Sequence, residues 1–157
     1  MRFGAHYLPS YVPRLDGPAG ESYRMMFEQM EELEKLGFHD LWVTEHHFSE
    51  YGGILPHPPT FLSAIARTTQ HIRLGVAVSV LPLHSPFEVA ESYAMVDVIS
   101  NGRLEFGIGR GAEPIEYRKA GFSQEKVIQR MREMIDIIRL AWSDEPVNFS
   151  GEFFQYH

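Results

Sequence analysis

The chain has no cysteine among its 157 residues, which excludes a disulfide framework, a thiolate metal site and a cysteine nucleophile. It also lacks basic excess. Fourteen Lys and Arg stand against 21 Asp and Glu, a formal charge of -7, and no local run of Lys and Arg offsets it. Such a surface is not the kind that phosphate backbones or anionic lipids select, so no nucleic acid and no membrane partner is expected. Long hydrophobic runs are missing too. The longest, around Val76 to Leu83, is broken by Ser79 and Pro82 and falls well short of the roughly 18 residues that span a bilayer. The start, Met1 to Tyr7, runs into strand-like sequence rather than a charged leader and apolar stretch. These absences together predict a soluble protein of a reducing compartment, cytoplasmic by default.

What is present is a composition 44% hydrophobic, suited to one globular domain over residues 1–157. Arg2 to Leu8 alternates as a strand does, and Pro9, Pro13, Gly17, Pro18 and Gly20 follow as a long loop. From Ser22 to Leu36 the apolar residues Tyr23, Met26, Phe27, Met30, Leu33 and Leu36 recur at helical spacing, with Gly37 as the stop. Asp40 to Thr44 reads as a short second strand, and a helix opens near Thr60. Ile72 to Val80 is a near-continuous apolar strand, and Pro86 starts a helix that runs to about Ser100. Arg103 to Gly109 is the fourth strand; Ser123 is expected to cap a last helix marked by Ile128, Met131, Met134, Ile135 and Ile138, ending near Trp142. The tail, Val147 to Tyr156, reads as a hairpin turning at Ser150-Gly151.

Repeated strand–helix alternation predicts an α/β fold with a parallel sheet, right-handed crossovers and all C-terminal strand ends on one side, where an active site is expected. Periodicity leaves the open doubly wound sheet and the closed barrel both possible. The glycine fingerprint of an open dinucleotide fold is absent after the first strand, where Tyr7 to Pro13 stand instead.

Three strand ends carry chemistry: Thr44 to Phe48, Val76 to Pro82, and Gly107 to Gly111. Alternation sends His46 and His47 to opposite sides, which disfavours chelation of one ion by both. Glu45 and His47 could share a side with His6 or His84 as a third ligand, a carboxylate–imidazole set of the kind metal hydrolases use. We weigh it below a reading with no metal. The plain alternative for Glu45-His46-His47 is a solvated loop with one histidine against Phe48. For Gly107, Gly109 and Gly111 it is a tight turn, with Arg110 paired to Glu105 or Glu113. The functional alternative is that bare backbone lets a flat ligand or phosphate approach, with Arg110 as a permanent forked donor.

Taken in order, Arg2-Phe3-Gly4, Glu45-His46-His47-Phe48, Leu74-Gly75-Val76-Ala77 with Leu81-Pro82, and Gly102-Arg103-Leu104 leading to Gly107-Ile108-Gly109-Arg110-Gly111 resemble bacterial luciferase and its monooxygenase relatives. The resemblance is collinear from Met1 to about Tyr156. It implies a (β/α)8 barrel of which four units and a C-terminal hairpin are present, hence a half barrel, since a whole one takes roughly 250 residues. It implies reaction of reduced flavin, FMN, with oxygen to oxidise a small organic substrate.

By the same resemblance His46 is the catalytic histidine, with Glu45 beside it. Ala77 and Val78 carry a nonproline cis peptide under the flavin ring. Gly109, where luciferase itself has cysteine, lies by the reactive flavin carbon and leaves room for oxygen, and Arg110 contacts the flavin phosphate. Alternatives are a noncatalytic flavin-binding or dimerising half barrel, and an oxidoreductase of the deazaflavin F420. Open edges predict a homo-oligomer or a missing C-terminal half as partner.

Overall fold

A computed structural model of the chain describes residues 1–121 and 123–157. Four strands build its main sheet: β1 (Gly4–Tyr7), β2 (Asp40–Val43), β3 (Arg73–Val80) and β4 (Leu104–Gly109). They pair in sequential order, every pair parallel. Between and after them come α1 (Pro13–Asp16), α2 (Ala19–Lys35), α3 (Pro58–Thr68), α4 (Pro86–Ser100), α5 (Pro114–Ala120) and α6 (Val127–Ala141). A hairpin of β5 (Phe149–Ser150) and β6 (Gln155–Tyr156) closes the described chain. The parallel α/β expectation therefore holds.

The sheet is sided by the pleat. Leu41, Val43, Leu74 and Val76 are buried in one core with Met30, Leu62, Ile65, Val96 and Met134 of the helices. The alternate positions His6, Trp42, Gly75 and Glu105 stand side by side in register on the other face. There the Trp42 ring occupies the space that a side chain at Gly75 would need.

The lower end of the sheet is tied by polar side chains. Glu34 at the end of α2 accepts the backbone N–H of Gln70, His71 and Ile72, fixing the turn into β3. Buried Arg103 donates to the carbonyls of Ala66, Thr69, Ile72 and Ser100 and to the Thr69 hydroxyl. A cation at the C-terminal end of α3 also complements that helix's dipole.

Several boundaries differ from expectation for local reasons. Pro13 starts a one-turn helix, α1, inside the first loop. Leu36 lies outside the apolar stripe as the exposed C-cap of α2. Ser123 does not cap α6; its hydroxyl accepts the Glu125 N–H at 3.2 Å, and α6 begins at Val127 behind Lys126. The short α5 was not anticipated. On the outer side of β4, Tyr93, Val98, Leu104, Phe106 and Trp142 line an apolar groove of about 270 Å³, with Val98 79% exposed.

Candidate active site

The C-terminal ends of β2, β3 and β4 share one rim. After β2 the chain passes through Thr44, Glu45, His46 and His47, and the two imidazoles diverge as alternation requires. His46 turns to Glu116, its Nδ1 at 3.2 Å from Glu116 Oε1. The same oxygen accepts the His47 backbone N–H at 2.8 Å. Glu116 is 2% exposed, so a carboxylate on α5 anchors a segment 70 positions earlier in the chain. A carboxylate only accepts, so His46 carries its proton on Nδ1 and leaves Nε2 for other work. Sequence reasoning missed Glu116. The only signal available was an acidic residue behind Pro114, an ordinary helix start.

His47 turns the other way. Its Nε2 donates to Glu45 Oε1 at 3.0 Å, and His84 Nε2 reaches the same oxygen at 2.6 Å. Glu45 Oε2 accepts the Val80 backbone N–H at 3.1 Å. Burial is the largest influence on Glu45 and would raise its pKa. The hydrogen bonds from His47, His84 and Val80, with the charge of His84, outweigh it and hold the carboxyl at about 2. Burial pulls the His84 pKa down, and its bond to Glu45 together with the charges of Glu45 and Glu88 more than reverses this. Solvation of the loop fails as an alternative, since Glu45 is 3% exposed, while its other part holds, the His47 ring lying 5.9 Å from that of Phe48. The ligand set weighed from sequence assembles with His84 rather than His6, its three atoms within 4.8 Å of one another. Beside it Glu45, Ser79, His84 and Tyr93 line a cavity of about 10 Å³.

The peptide bond between Ala77 and Val78 is cis, at the pair the resemblance indicated. Register between β3 and β4 shifts across it, from Val76 opposite Phe106 to Ser79 opposite Ile108. The bare positions of β4 serve this irregular strand. A side chain at Gly107 would run into the Val76 carbonyl, and one at Gly109 into the Val78 side chain. The room that Gly109 was expected to leave for oxygen is thus filled, in that direction, by Val78. Gly111 has φ 77°, a conformation that favours glycine. Arg110 is exposed, and among the described residues it makes no ion pair; Glu105 is bonded to Arg73 instead.

The sequence matches the family model described as luciferase-like monooxygenase over residues 1–157. The chain belongs to the luciferase-like monooxygenase family. The oxygenase component of flavin-dependent trigonelline monooxygenase from Acinetobacter baylyi is 36% identical over 142 residues, 87% of this chain and 39% of that protein. A monooxygenase from Streptomyces bottropensis superposes with a TM-score of 0.94 at 34% identity, covering 99% of this chain and 47% of that one. The oxygenating constituent of 3,6-diketocamphane monooxygenase from Pseudomonas putida, solved in complex with FMN, shares the fold with a TM-score of 0.91 at 21% identity, over 99% of this chain and 44% of that one.

The luciferase-like family also reaches another cofactor class. An F420-dependent glucose-6-phosphate dehydrogenase from Amycolatopsis mediterranei is 28% identical over 138 residues, 84% of this chain and 41% of that enzyme. The chain spans less than half the length of these relatives. Among the described residues no helix is long and apolar enough to cross a membrane.

Proposed function

We propose that this chain is the cofactor-facing N-terminal half, residues 1–157, of a flavin-dependent monooxygenase with FMN as its cofactor. Its complete fold is an eight-stranded barrel. Sequential parallel order supports the barrel, as does the uncovered groove along β4 where a fifth unit would pack. The missing half, or a second copy of the chain, is the partner that would cover both sheet edges.

The observation that carries the reading is the content of one rim. The His46–Glu116 pair, the Ala77–Val78 peptide and an Arg110 with no ion pair among the described residues all stand at C-terminal strand ends, where barrels of this class keep their chemistry. The residues fit an anionic, flat cofactor. Arg110 offers a forked, permanently charged donor to a phosphate. The backbone of Ala77 and Val78 would lie beneath the flavin ring, with Gly109 at its edge. Reduced FMN would supply the electrons with which oxygen is activated. His46 Nε2, freed by the Nδ1 contact with Glu116, would take up or hand over the proton of the reaction. The Glu116 carboxylate would orient the ring. The substrate is a small organic molecule, with O2 as the second reactant.

Titration with FMN, followed by quenching of flavin fluorescence, tests the reading. Saturable binding supports a preserved cofactor half-site, and its absence contradicts it. F420 titrated in parallel separates the two cofactor classes, and tighter binding of F420 would favour the deazaflavin alternative. A noncatalytic or dimerising half barrel would bind FMN without oxygen uptake above background.

A further inference from the structure

Glu45 adjoins His46, and its resemblance-based role is catalytic, yet its side chain faces elsewhere. Both oxygens are engaged. Oε1 holds His47 at 3.0 Å and His84 at 2.6 Å, while Oε2 holds the Val80 amide at 3.1 Å. These ties take up three of the roughly four acceptor sites of a carboxylate, each a charge-assisted bond in a site sheltered from water.

The ties join three separate pieces of chain. His47 continues from β2, Val80 ends β3 two residues after the cis peptide, and His84 follows the 3-10 turn Leu81–Leu83. That turn is gripped from a second side. Arg130 of α6 donates to the Pro82 carbonyl at 3.2 Å and the His84 carbonyl at 3.5 Å, and its guanidinium lies over the Phe154 ring at 4.6 Å. The segment from Ala77 to His84 thus has no regular helix of its own to hold it, only a bulged strand and one tight turn. Besides the pairing of Ser79 and Val80 with β4, Glu45 and Arg130 tie it down.

We infer that Glu45 is a positioning residue: its buried carboxylate fixes the Ala77–His84 backbone against the end of β2, so that the cis peptide and His46 keep one geometry. This rests on the cofactor reading above for its purpose, though the tie itself stands on the distances alone. In this role Glu45 would act through the backbone it holds and not on the reacting atoms.

The test uses the chain with Glu45→Gln and, in case that variant folds poorly, His84→Gln, which removes one tie and leaves the carboxylate. Amide hydrogen exchange is measured for residues 78–84, with α2 as internal reference. Losing one net hydrogen bond corresponds to roughly a tenfold change, so exchange at 78–84 rises about tenfold while α2 is unchanged, and FMN affinity falls about tenfold in both variants. Unchanged exchange at 78–84 overturns the tie. Faster exchange with unaltered FMN affinity overturns its purpose. If the unsubstituted chain binds no FMN, the cofactor reading and the positioning purpose fall together, and the exchange data still decide the tie. Saturable Zn²⁺ binding that Glu45→Gln abolishes would replace the hydrogen-bonded tie by a metal one and overturn it as well.

Discussion

His46 Nδ1 lies 3.2 Å from Glu116 Oε1 across 70 positions of sequence, and the His47 amide shares that oxygen at 2.8 Å. Glu116→Leu would leave that amide without its carboxylate partner and His46 without its orienting acceptor. An unsatisfied buried group costs about 1–3 kcal/mol, so urea unfolding should register a loss of that size. Glu116→Gln, which keeps an acceptor oxygen, should cost less. Long-range ¹⁵N–¹H spectra should find the His46 proton on Nδ1 in the unsubstituted chain and a mixture of tautomers in Glu116→Leu. A ring protonated on Nε2 in the unsubstituted chain would contradict the pairing.

The Glu45–His84 pair sets a pH window for stability. A carboxyl held at about 2 in the fold, against an ordinary value of 4.5, stabilises fully above 4.5 and loses that contribution as pH falls toward 2. His84, raised above its ordinary 6.5, stabilises fully below 6.5 and loses its part as pH rises through the folded value. The melting temperature should therefore be highest between these two ordinary values. In Glu45→Gln the alkaline decline assigned to His84 should disappear; a decline equal to that of the unsubstituted chain would refute the coupling.

Arg103 should matter out of proportion to its distance from the rim. Its guanidinium satisfies carbonyls of Ala66, Thr69, Ile72 and Ser100. Arg103→Met would strand them around an apolar chain, at a cost of about 3 kcal/mol or more. Denaturant titration would reveal this, with little change in m-value if the fold is otherwise kept.

The glycines divide into tight and open positions. Gly107→Ala would force the new methyl against the Val76 carbonyl, and overpacking of this kind costs about 1–3 kcal/mol. Gly20 stands inside α2 with nothing within 4 Å of an added Cβ. There Gly20→Ala should be neutral or stabilise by up to about 1 kcal/mol. Thermal unfolding of the two variants side by side would reveal a misplaced β4 if their order were reversed.

What could be read in the sequence follows from how local the cause was. The helix from Pro86 to Ser100 was legible at both ends because Pro86 opens it and Asn101, at φ 58°, with Gly102 after it, stops it. The divergence of His46 and His47 follows from alternation alone. Glu116 was not legible, since its meaning depends on a short helix folding back over the β2 rim. Ser123 was misread because its hydroxyl found a nearer donor at Glu125 than a helix turn. The glycines in and just after β4 signal close approach, and what approaches is β3 itself: the Val76 carbonyl at Gly107, the Val78 side chain at Gly109 and the Val80 side chain at Gly111, with Arg110 exposed between the last two.

The central claim is that Arg110 and the neighbouring rim read a flavin phosphate, and the ratio of FMN to riboflavin affinity tests it most directly. The chain should bind FMN more tightly than riboflavin, and Arg110→Ala should reduce that preference by about tenfold or more, the worth of a charge-assisted pair, while leaving riboflavin binding unchanged. Equal affinity for the two flavins, or a preference that survives Arg110→Ala, would contradict it.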